Sequence, residues 1–187
     1  MQTMRRILLK EAHFDLVINR LCHQLIEEYN NFSNTCFVAI QPRGTLLADR
    51  LVSKILQNTD NQQVEYGKLD ITFYRDDFKR SKPQQPLTND MNFLVEGKRV
   101  ILVDDVLFTG RTVQAALTAL NHYGRPASVE LVALVDRRFN RHLPIQSDYI
   151  GITIDVLDEE YVKVEWLATT GSDSVVLYPN KDASKKE

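Results

Sequence analysis

Residues 99–112 read RVILVDDVLFTGRT, with an apolar run, two adjacent acids and a glycine-containing loop in close succession. The apolar run predicts a strand covered on both faces, because a strand with one face in water alternates apolar and polar residues. A strand that ends on two like charges and continues into a loop before a helix is rarely needed by a fold alone. The stretch therefore indicates a ligand site at the end of a buried strand.

Strands and helices alternate on both sides of this stretch. Apolar residues at helical spacing predict helices at 11–29, 45–57 and 112–122. Short apolar runs predict strands at 36–40, 69–74, 99–103 and 128–136. This alternation predicts an α/β fold in which helices flank a central parallel sheet.

The length of 187 residues suits a single domain over 1–187. Short β-like pieces without long helices follow Asp136, so we expect 137–178 to contribute a small β hood. The polar segment 75–92 carries prolines and is long for a plain connection, which predicts a flexible lid loop. The alternative for this segment is a solvated loop without a function.

Composition narrows the class of protein. With 23 basic and 25 acidic residues the net charge is -2, so the overall charge does not indicate nucleic-acid binding. No apolar run approaches the roughly 18 residues that a membrane span needs, and the N-terminal apolar stretch is too short for a signal peptide. We therefore expect a cytoplasmic protein in which Cys22 and Cys36 are buried free thiols.

The loop Thr109–Thr112 lies between a strand end and a helix start. Gly110 permits a positive φ, and the first amides of a helix point outward with the positive end of the helix dipole. Together with the threonine hydroxyls, this arrangement predicts a cradle for a monophosphate. The alternative is that Thr109 or Thr112 only caps the helix.

Asp104 and Asp105 are expected to emerge where the strand leaves the sheet, and so to face solvent or a ligand. Adjacent carboxylates accept hydrogen bonds from a vicinal diol or hold a hydrated Mg²⁺ ion. The alternative is that one acid is a surface charge and the other a cap. A diol-binding pair directly before a phosphate cradle predicts a ribose 5-phosphate site.

Three loops follow predicted strands and are expected to meet at one crevice, since ligands of open α/β sheets sit at the carboxyl ends of the strands. They are QPRG (41–44), the loop of the opening stretch, and VDRRFNRH (135–142). Arg43 in the first loop is a candidate anion-binding residue, with a plain surface arginine as the alternative.

VILVDDVLFTGRT resembles the thirteen-residue phosphoribosyl-pyrophosphate (PRPP) signature of type I phosphoribosyltransferases. In that family the two acids engage the ribose hydroxyls and the following loop takes the 5-phosphate. The resemblance implies that Mg²⁺ reaches the acids indirectly, through PRPP and water. It implies PRPP contacts from Asp104, Asp105, Val106, Leu107, Phe108, Thr109, Gly110, Arg111 and Thr112.

Phe108 stands where purine-using members of the family carry an Asp, and this substitution favours a pyrimidine base. Further segments resemble the PyrR family of pyrimidine-operon regulators and uracil phosphoribosyltransferases. These are VAIQPRGTLLADRL (38–51), LDITFYRDDF (69–78), GRPASVELVALVDR (124–137) and LPIQSDYIG (143–151). The resemblance implies transfer of ribose 5-phosphate from PRPP to uracil, giving uridine monophosphate and pyrophosphate.

The resemblance also implies roles for individual residues. It implies catalytic contributions from Asp104, Asp105 and Arg43, pyrophosphate binding by Pro42, Arg43, Gly44 and Arg75, and base binding by Asp136, Arg137 and Val162. Lys79, Arg80 and Lys82 of the lid are further candidates for the pyrophosphate. A cis or otherwise strained peptide is expected within 41–44, because a cis X–Pro bond costs only about 0.5–1 kcal/mol.

The chain departs from the family at RFNRH (138–142) and at the acidic ITIDVLDEE (152–160). These departures remove basic positions, and the first helix, which carries Arg20 and His23, ends in acids. RNA-binding attenuation of pyrimidine genes therefore stands as an alternative to the enzyme, as does a PRPP or nucleotide sensor without catalysis. The resemblance implies a homodimer or homotetramer.

Overall fold

The computed structural model describes residues 5–60, 63–75, 86–157 and 159–185. Its strands are β1 (Arg6–Lys10), β2 (Thr35–Ile40), β3 (Glu65–Leu69), β4 (Arg99–Leu107), β5 (Ser128–Arg137), β6 (Tyr149–Ile154), β7 (Tyr161–Glu165) and β8 (Ser174–Tyr178). Its helices are α1 (Glu11–Tyr29), α2 (Gly44–Asn58), α3 (Arg111–Leu120) and α4 (Leu167–Thr170). Short 3-10 turns lie at Thr72–Tyr74, Asn121–Tyr123 and Ala183–Lys185.

The main layer is a five-stranded parallel sheet in the order β3-β2-β4-β5-β6. Side chains of its central strands alternate between two buried clusters. Phe37 and Ile101 belong to the cluster formed with α1 and α2, whereas Val38 and Leu102 belong to the cluster formed with α3. The sheet is therefore covered on both faces, which confirms the predicted α/β fold and explains the uninterrupted apolar runs.

A smaller antiparallel sheet, in the order β1-β8-β7, forms the hood. The expected hood segment 137–178 is divided between the two sheets, because β6 pairs with β5 in the main sheet. The hood instead gains β1, which lies near the N-terminus of the chain. The short β-like pieces in the sequence did not indicate which sheet each strand would join.

The hood is fastened to α1 and α2 by one group of contacts. The Phe14 and Trp166 rings meet edge to face, with centroids 5.3 Å apart. The Arg50 guanidinium lies 5.3 Å from the Trp166 ring centroid, and its two terminal nitrogens donate to the Asp173 carboxylate at 2.8 and 3.0 Å. A bidentate pair of this kind fixes orientation as well as distance, so the hood has a defined place over the sheet.

The predicted strand at 69–74 is wrong, because β3 ends at Leu69 and a 3-10 turn follows. The cause is Asp70, whose carboxylate accepts hydrogen bonds from the Thr72 N–H at 3.0 Å and the Thr72 hydroxyl at 2.6 Å. A short acidic side chain that bonds to the backbone two residues on offers a turn in place of a sheet ladder.

The predicted lid, 75–92, is described only at its two ends. Residues 76–85, with the candidates Lys79, Arg80 and Lys82, lie outside the described residues. At the far end, Asp90 and Lys68 exchange backbone hydrogen bonds of 2.8 and 2.9 Å. The end of the segment near Asp90 is therefore anchored to the edge strand β3.

Within the part of the chain that the structure describes, no helix combines the length and apolar character needed to cross a membrane.

The start of α2 passes unusually close to β4. A Cβ placed on Gly44 would lie 2.3 Å from the Val103 carbonyl oxygen, a separation that side chains do not tolerate. The contact sets the distance between the helix start and the strand residue directly before Asp104. Only glycine permits this approach.

Replacing Gly44 by Ala should destabilise the protein by about 1–3 kcal/mol, the usual cost of overpacking. Gly44 is the first residue of α2, so the preference of about 1 kcal/mol for Ala over Gly, which applies inside a helix, is not expected to offset this loss. Urea denaturation followed by the fluorescence of the single tryptophan measures the difference. Ser53→Ala, at an exposed position of α2, is the matched control and should stay within about 0.5 kcal/mol of the wild type. A Gly44→Ala variant as stable as this control would contradict the role of the close approach.

Candidate functional site

A cavity of about 790 Å³ opens at the carboxyl ends of the main-sheet strands. It is lined from the first loop by Pro42 and Arg43, from β4 by Asp104 and Asp105, and from the hood by Tyr161 and Val162. Two of the three loops that were expected to converge line this cavity, and the third contributes only Arg137. The hood therefore contributes side chains to the same cavity as the main sheet.

Asp104 and Asp105 lie inside β4 and are only 6% and 4% exposed. The prediction that the strand ends before them is therefore wrong: β4 continues to Leu107, with Asp104 in register with Ala133 of β5. The Asp105 N–H donates to Asp104 Oδ1 at 2.9 Å. Both acids nevertheless line the cavity, so the central strand itself carries them to the site.

Burial disfavours the charged form of both acids. It raises the pKa of Asp104, and the neighbouring charge of Asp105 raises that pKa further. Burial also raises the pKa of Asp105, against the opposing effect of the Arg43 guanidinium. The pair is thus a site of concentrated negative potential that a cation or hydroxyl donors can relieve.

Arg43 lies at the end of the first loop, directly before α2, and its Nη2 donates to the Tyr161 hydroxyl at 2.9 Å. Burial lowers the pKa of Arg43, but Asp105, Tyr161 and Asp104 together bring it above its ordinary value. The Gln41–Pro42 peptide is cis, which confirms the expectation of such a bond within 41–44. The guanidinium therefore stays charged inside the cavity, beside the two acids.

A second cavity, of about 290 Å³, lies beside the loop Thr109–Thr112 and shares Asp104 with the first. Gly110 has a φ of 88° and is the N-cap of α3, without a side chain to cap the helix. The Arg111 N–H donates to Thr109 Oγ1 at 3.4 Å, which is long for a hydrogen bond. A helix-capping role therefore does not explain why a threonine lies at this position. Arg75 Nη1 donates to Thr112 Oγ1 at 3.3 Å, which adds a cation to this predicted phosphate cradle.

The segment 138–142 clasps this loop, a feature that the sequence did not indicate. Arg141 donates to the Phe108 carbonyl oxygen and to the Asp136 carboxylate. The His142 N–H donates to the Thr109 carbonyl oxygen at 3.0 Å, and Arg111 Nε donates to His142 Nδ1 at 3.2 Å. The bonds to Phe108, Thr109 and Arg111 join residues more than thirty positions apart, so no local pattern in the sequence indicates them.

Of the three residues predicted for the base, the structure brings two to the main cavity. Arg137 and Val162 line it, whereas Asp136 lies outside the lining and holds Arg141. The Arg137 guanidinium lies 3.8 Å from the centroid of the Phe108 ring. Its terminal nitrogens donate to the backbone oxygens of Glu160 and Leu157 at 3.1 and 3.3 Å. A cation stacked on an aromatic ring thus forms one wall of the cavity.

Tyr161 and Asp70 are cavity residues that sequence reasoning missed. Asp70 directly follows the end of a strand, as the two acids of the opening stretch were expected to, and this position was a usable signal. Tyr161 carried no comparable signal, because its place depends on how the hood folds over the sheet.

Comparison with known proteins shows the family of the chain. The phosphoribosyl transferase domain family matches residues 6–169. The bifunctional proteins PyrR of Bacillus cereus (strain AH820) and Bacillus thuringiensis subsp. konkukian (strain 97-27) are each 40% identical over 177 residues, which cover 93% of this chain and 97% of the relative.

The chain belongs to the PyrR family of phosphoribosyltransferases.

Solved structures of phosphoribosyltransferases share the fold of this PyrR-family chain. A hypoxanthine phosphoribosyltransferase from Staphylococcus aureus aligns with a TM-score of 0.64 at 24% identity, over 82% of this chain and 78% of that one. The Trypanosoma cruzi hypoxanthine phosphoribosyltransferase aligns with a TM-score of 0.71 at 19% identity, over 100% and 97% of the two chains. At these identities the likeness establishes the fold and does not extend to the base.

Replacing Asp104 by Asn should stabilise the protein at pH 7.5 by about 0.5–2 kcal/mol, the common scale of single stabilising substitutions. The amide keeps an oxygen for the Asp105 N–H and removes a buried charge. Because the fold raises the pKa of Asp104, wild-type stability falls as the pH rises above the unfolded value of about 4. The gain should therefore shrink as the pH is lowered towards 4, as urea denaturation at several pH values would measure.

Asp155→Asn is the matched control. Asp155 is exposed, and its hydrogen bond to Arg138 lowers its pKa, so this variant should not gain stability at pH 7.5. An Asp104→Asn gain that is absent at pH 7.5, or equally large at pH 4, would contradict the cost assigned to the buried charge.

Proposed function

We propose that this PyrR-family protein transfers ribose 5-phosphate from PRPP to uracil, giving uridine monophosphate and pyrophosphate. The observation that carries the proposal is the placement of Asp104 and Asp105 between two anion-binding features. Arg43 and the start of α2 lie on one side, and the glycine loop at the start of α3 lies on the other. PRPP has the matching order of groups: pyrophosphate, ribose diol and 5-phosphate.

In this proposal the loop Thr109–Thr112 receives the 5-phosphate. The positive end of α3 and the Arg75 guanidinium, held at Thr112, offer donors there. Asp104 and Asp105 accept hydrogen bonds from the two ribose hydroxyls. Arg43, with the backbone of Pro42 and Gly44, receives the pyrophosphate. The side-chain roles rest on these positions and on the resemblance to the family.

The reaction breaks the bond from C1 to the pyrophosphate oxygen and forms a bond from C1 to a ring nitrogen of the base, whose proton passes to the leaving pyrophosphate or to solvent. Its transition state resembles an oxocarbenium ion, so positive charge develops on the ribose. The acids Asp104 and Asp105 stabilise that charge, and Arg43 stabilises the negative charge on the leaving group. The remaining contribution of the protein is to orient the reactants and to exclude water beneath the hood.

Magnesium fits the chemistry of Asp104 and Asp105. The two carboxylates supply oxygen donors, which Mg²⁺ prefers, and such an ion commonly keeps waters and binds substrate phosphates. Within the described ranges, no group of three His, Cys, Asp or Glu side chains could hold a metal ion. These residues therefore do not form a metal site built from protein ligands alone. We therefore assign Mg²⁺ to PRPP, with Asp104 and Asp105 acting indirectly through water. When bound, it acts as a Lewis acid on the leaving pyrophosphate.

The wall formed by Phe108 and Arg137 supports a pyrimidine as acceptor. Phe108 offers an apolar face and no acid that would serve a purine ring nitrogen, while Arg137 and Val162 complete the same side of the cavity. Uracil presents two carbonyl oxygens and ring N–H groups, which suit a pocket lined by a cation and backbone groups.

Purified protein incubated with PRPP, Mg²⁺ and a panel of bases should release pyrophosphate with uracil and much less with hypoxanthine or guanine. Asp105→Asn should lower kcat/KM by about 10²–10³-fold, the usual cost of removing one preorganised electrostatic contact. The control is again Asp155→Asn, whose carboxylate lies outside both cavities. Turnover with purines only would overturn the assignment of the base, and no turnover with any base would favour a PRPP or nucleotide sensor.

RNA binding is a second candidate function, because the PyrR relatives are described as bifunctional proteins. Two arginines that could meet RNA phosphates are already engaged. Arg20 donates to the Ile150 and Gly151 carbonyl oxygens, and Arg138 forms an ion pair of 2.6 Å with Asp155. A mobility-shift assay with the leader RNA of the chain's own operon, over a range of salt concentrations, tests this function. A salt-sensitive shift supports attenuation, and its absence alongside uridine monophosphate synthesis supports the enzyme alone.

A further inference from the structure

Tyr161 is the hood residue whose side chain reaches the first loop. It begins β7, is half-buried, and lines the main cavity together with Arg43 and the two acids. Its hydroxyl oxygen accepts a hydrogen bond from Arg43 Nη2 at 2.9 Å. Tyr161 lies 118 positions from Arg43 in the chain, so only the folded hood creates this contact.

The hood sheet fixes the position of Tyr161. The residue is in register with Tyr178 of β8, and the next residue, Val162, is 3% exposed and packs into the main core. Alternation along β7 therefore directs Tyr161 away from that core. Because β7 cannot slide without exposing Val162 and Val164, the phenol ring is held at a defined depth in the cavity.

The hydroxyl can make one more bond of a specific kind. As an acceptor from Arg43 it still has its own proton to donate, and an oxygen that accepts from a cation becomes a stronger donor. Its preferred partner is therefore an anionic oxygen close to the guanidinium. Asp104 and Asp105 repel such an anion, so the cation and the polarised hydroxyl would have to act together to hold it.

We propose that Tyr161 is a binding residue for the pyrophosphate group of PRPP. Its hydroxyl accepts the hydrogen bond from Arg43 and donates a hydrogen bond to a pyrophosphate oxygen. This inference rests on the proposed function and deepens it, because it assigns a hood residue to the part of the site that binds PRPP. It predicts that the hood contributes to the affinity for pyrophosphate as well as to the choice of base.

Tyr161→Phe is the decisive variant, since it removes the hydroxyl and keeps the ring. Isothermal titration with Mg²⁺ should show the affinities for pyrophosphate and PRPP falling by about 10- to 100-fold, the range for losing a hydrogen bond to a charged group. The affinity for ribose 5-phosphate, which lacks the pyrophosphate, should not change. In steady-state assays the KM for PRPP should rise while the KM for the base stays constant.

Tyr178→Phe is the matched control. Tyr178 is the cross-strand neighbour of Tyr161, and its hydroxyl donates to Glu165 at 3.3 Å, outside the cavity lining. This variant should bind pyrophosphate as the wild type does. Unchanged pyrophosphate affinity in Tyr161→Phe, or an equal loss for ribose 5-phosphate, would overturn the inference, because the second result would indicate a general collapse of the site.

The outcomes separate this inference from the proposed function. A wild-type protein that binds PRPP and pyrophosphate but transfers to no base would defeat the proposed transfer, while the affinities of Tyr161→Phe still decide the role of Tyr161. A wild-type protein that binds neither ligand would defeat both. Normal turnover with unchanged pyrophosphate affinity in the variant would defeat the inference about Tyr161 alone.

Discussion

Two adjacent carboxylates buried in the central strand are the constraint around which the site is arranged. Asp104 and Asp105 belong to the ladder of β4, so they cannot leave the cavity without breaking the sheet. Burying such charges is costly unless an opposite charge or hydrogen-bond donors face them. Arg43 faces them, and the close approach at Gly44 brings the start of α2 within reach of the strand. The buried pair thus accounts for the glycine, for the position of the loop and for the arginine.

On the opposite face of the sheet, a second helix also begins close to the end of β4. Gly110 turns the chain through a positive φ directly after the strand, and α3 begins at the next residue. The sheet therefore presents two carboxylates between the starts of two helices, each of which carries partial positive charge. Arg141 and His142 hold the loop between β4 and α3 from outside. A ligand with anionic groups at its ends and hydroxyls in the middle complements this order of charges.

The sequence predicted those elements whose position depends on neighbouring residues in the chain. Apolar runs and helical spacing predicted β2, β5, α1 and α2 to within about two residues, and the opening stretch predicted that Asp104 and Asp105 would face a crevice. Long-range pairing was not predictable, because β1 joins the hood and β6 joins the main sheet through partners far away in the sequence. The Asp70 turn was missed because LDITFY reads as a strand until the carboxylate is known to bond to Thr72. The clasp from Arg141 and the contact from Tyr161 both depend on tertiary folding in the same way.

The hood couples the two ends of the cavity. Its strand β7 carries Tyr161, whose hydroxyl accepts a hydrogen bond from Arg43, and Val162, which lines the same cavity as Arg137. Arg137 in turn donates to hood backbone oxygens and stacks on Phe108, the residue directly before the loop Thr109–Thr112. Because the hood is fastened to α1 and α2 through Arg50 and Trp166, it holds these contacts as one unit. A change in the hood therefore acts on Arg43 and on the wall formed by Phe108 and Arg137 together, so substitutions in these two regions are not expected to be independent.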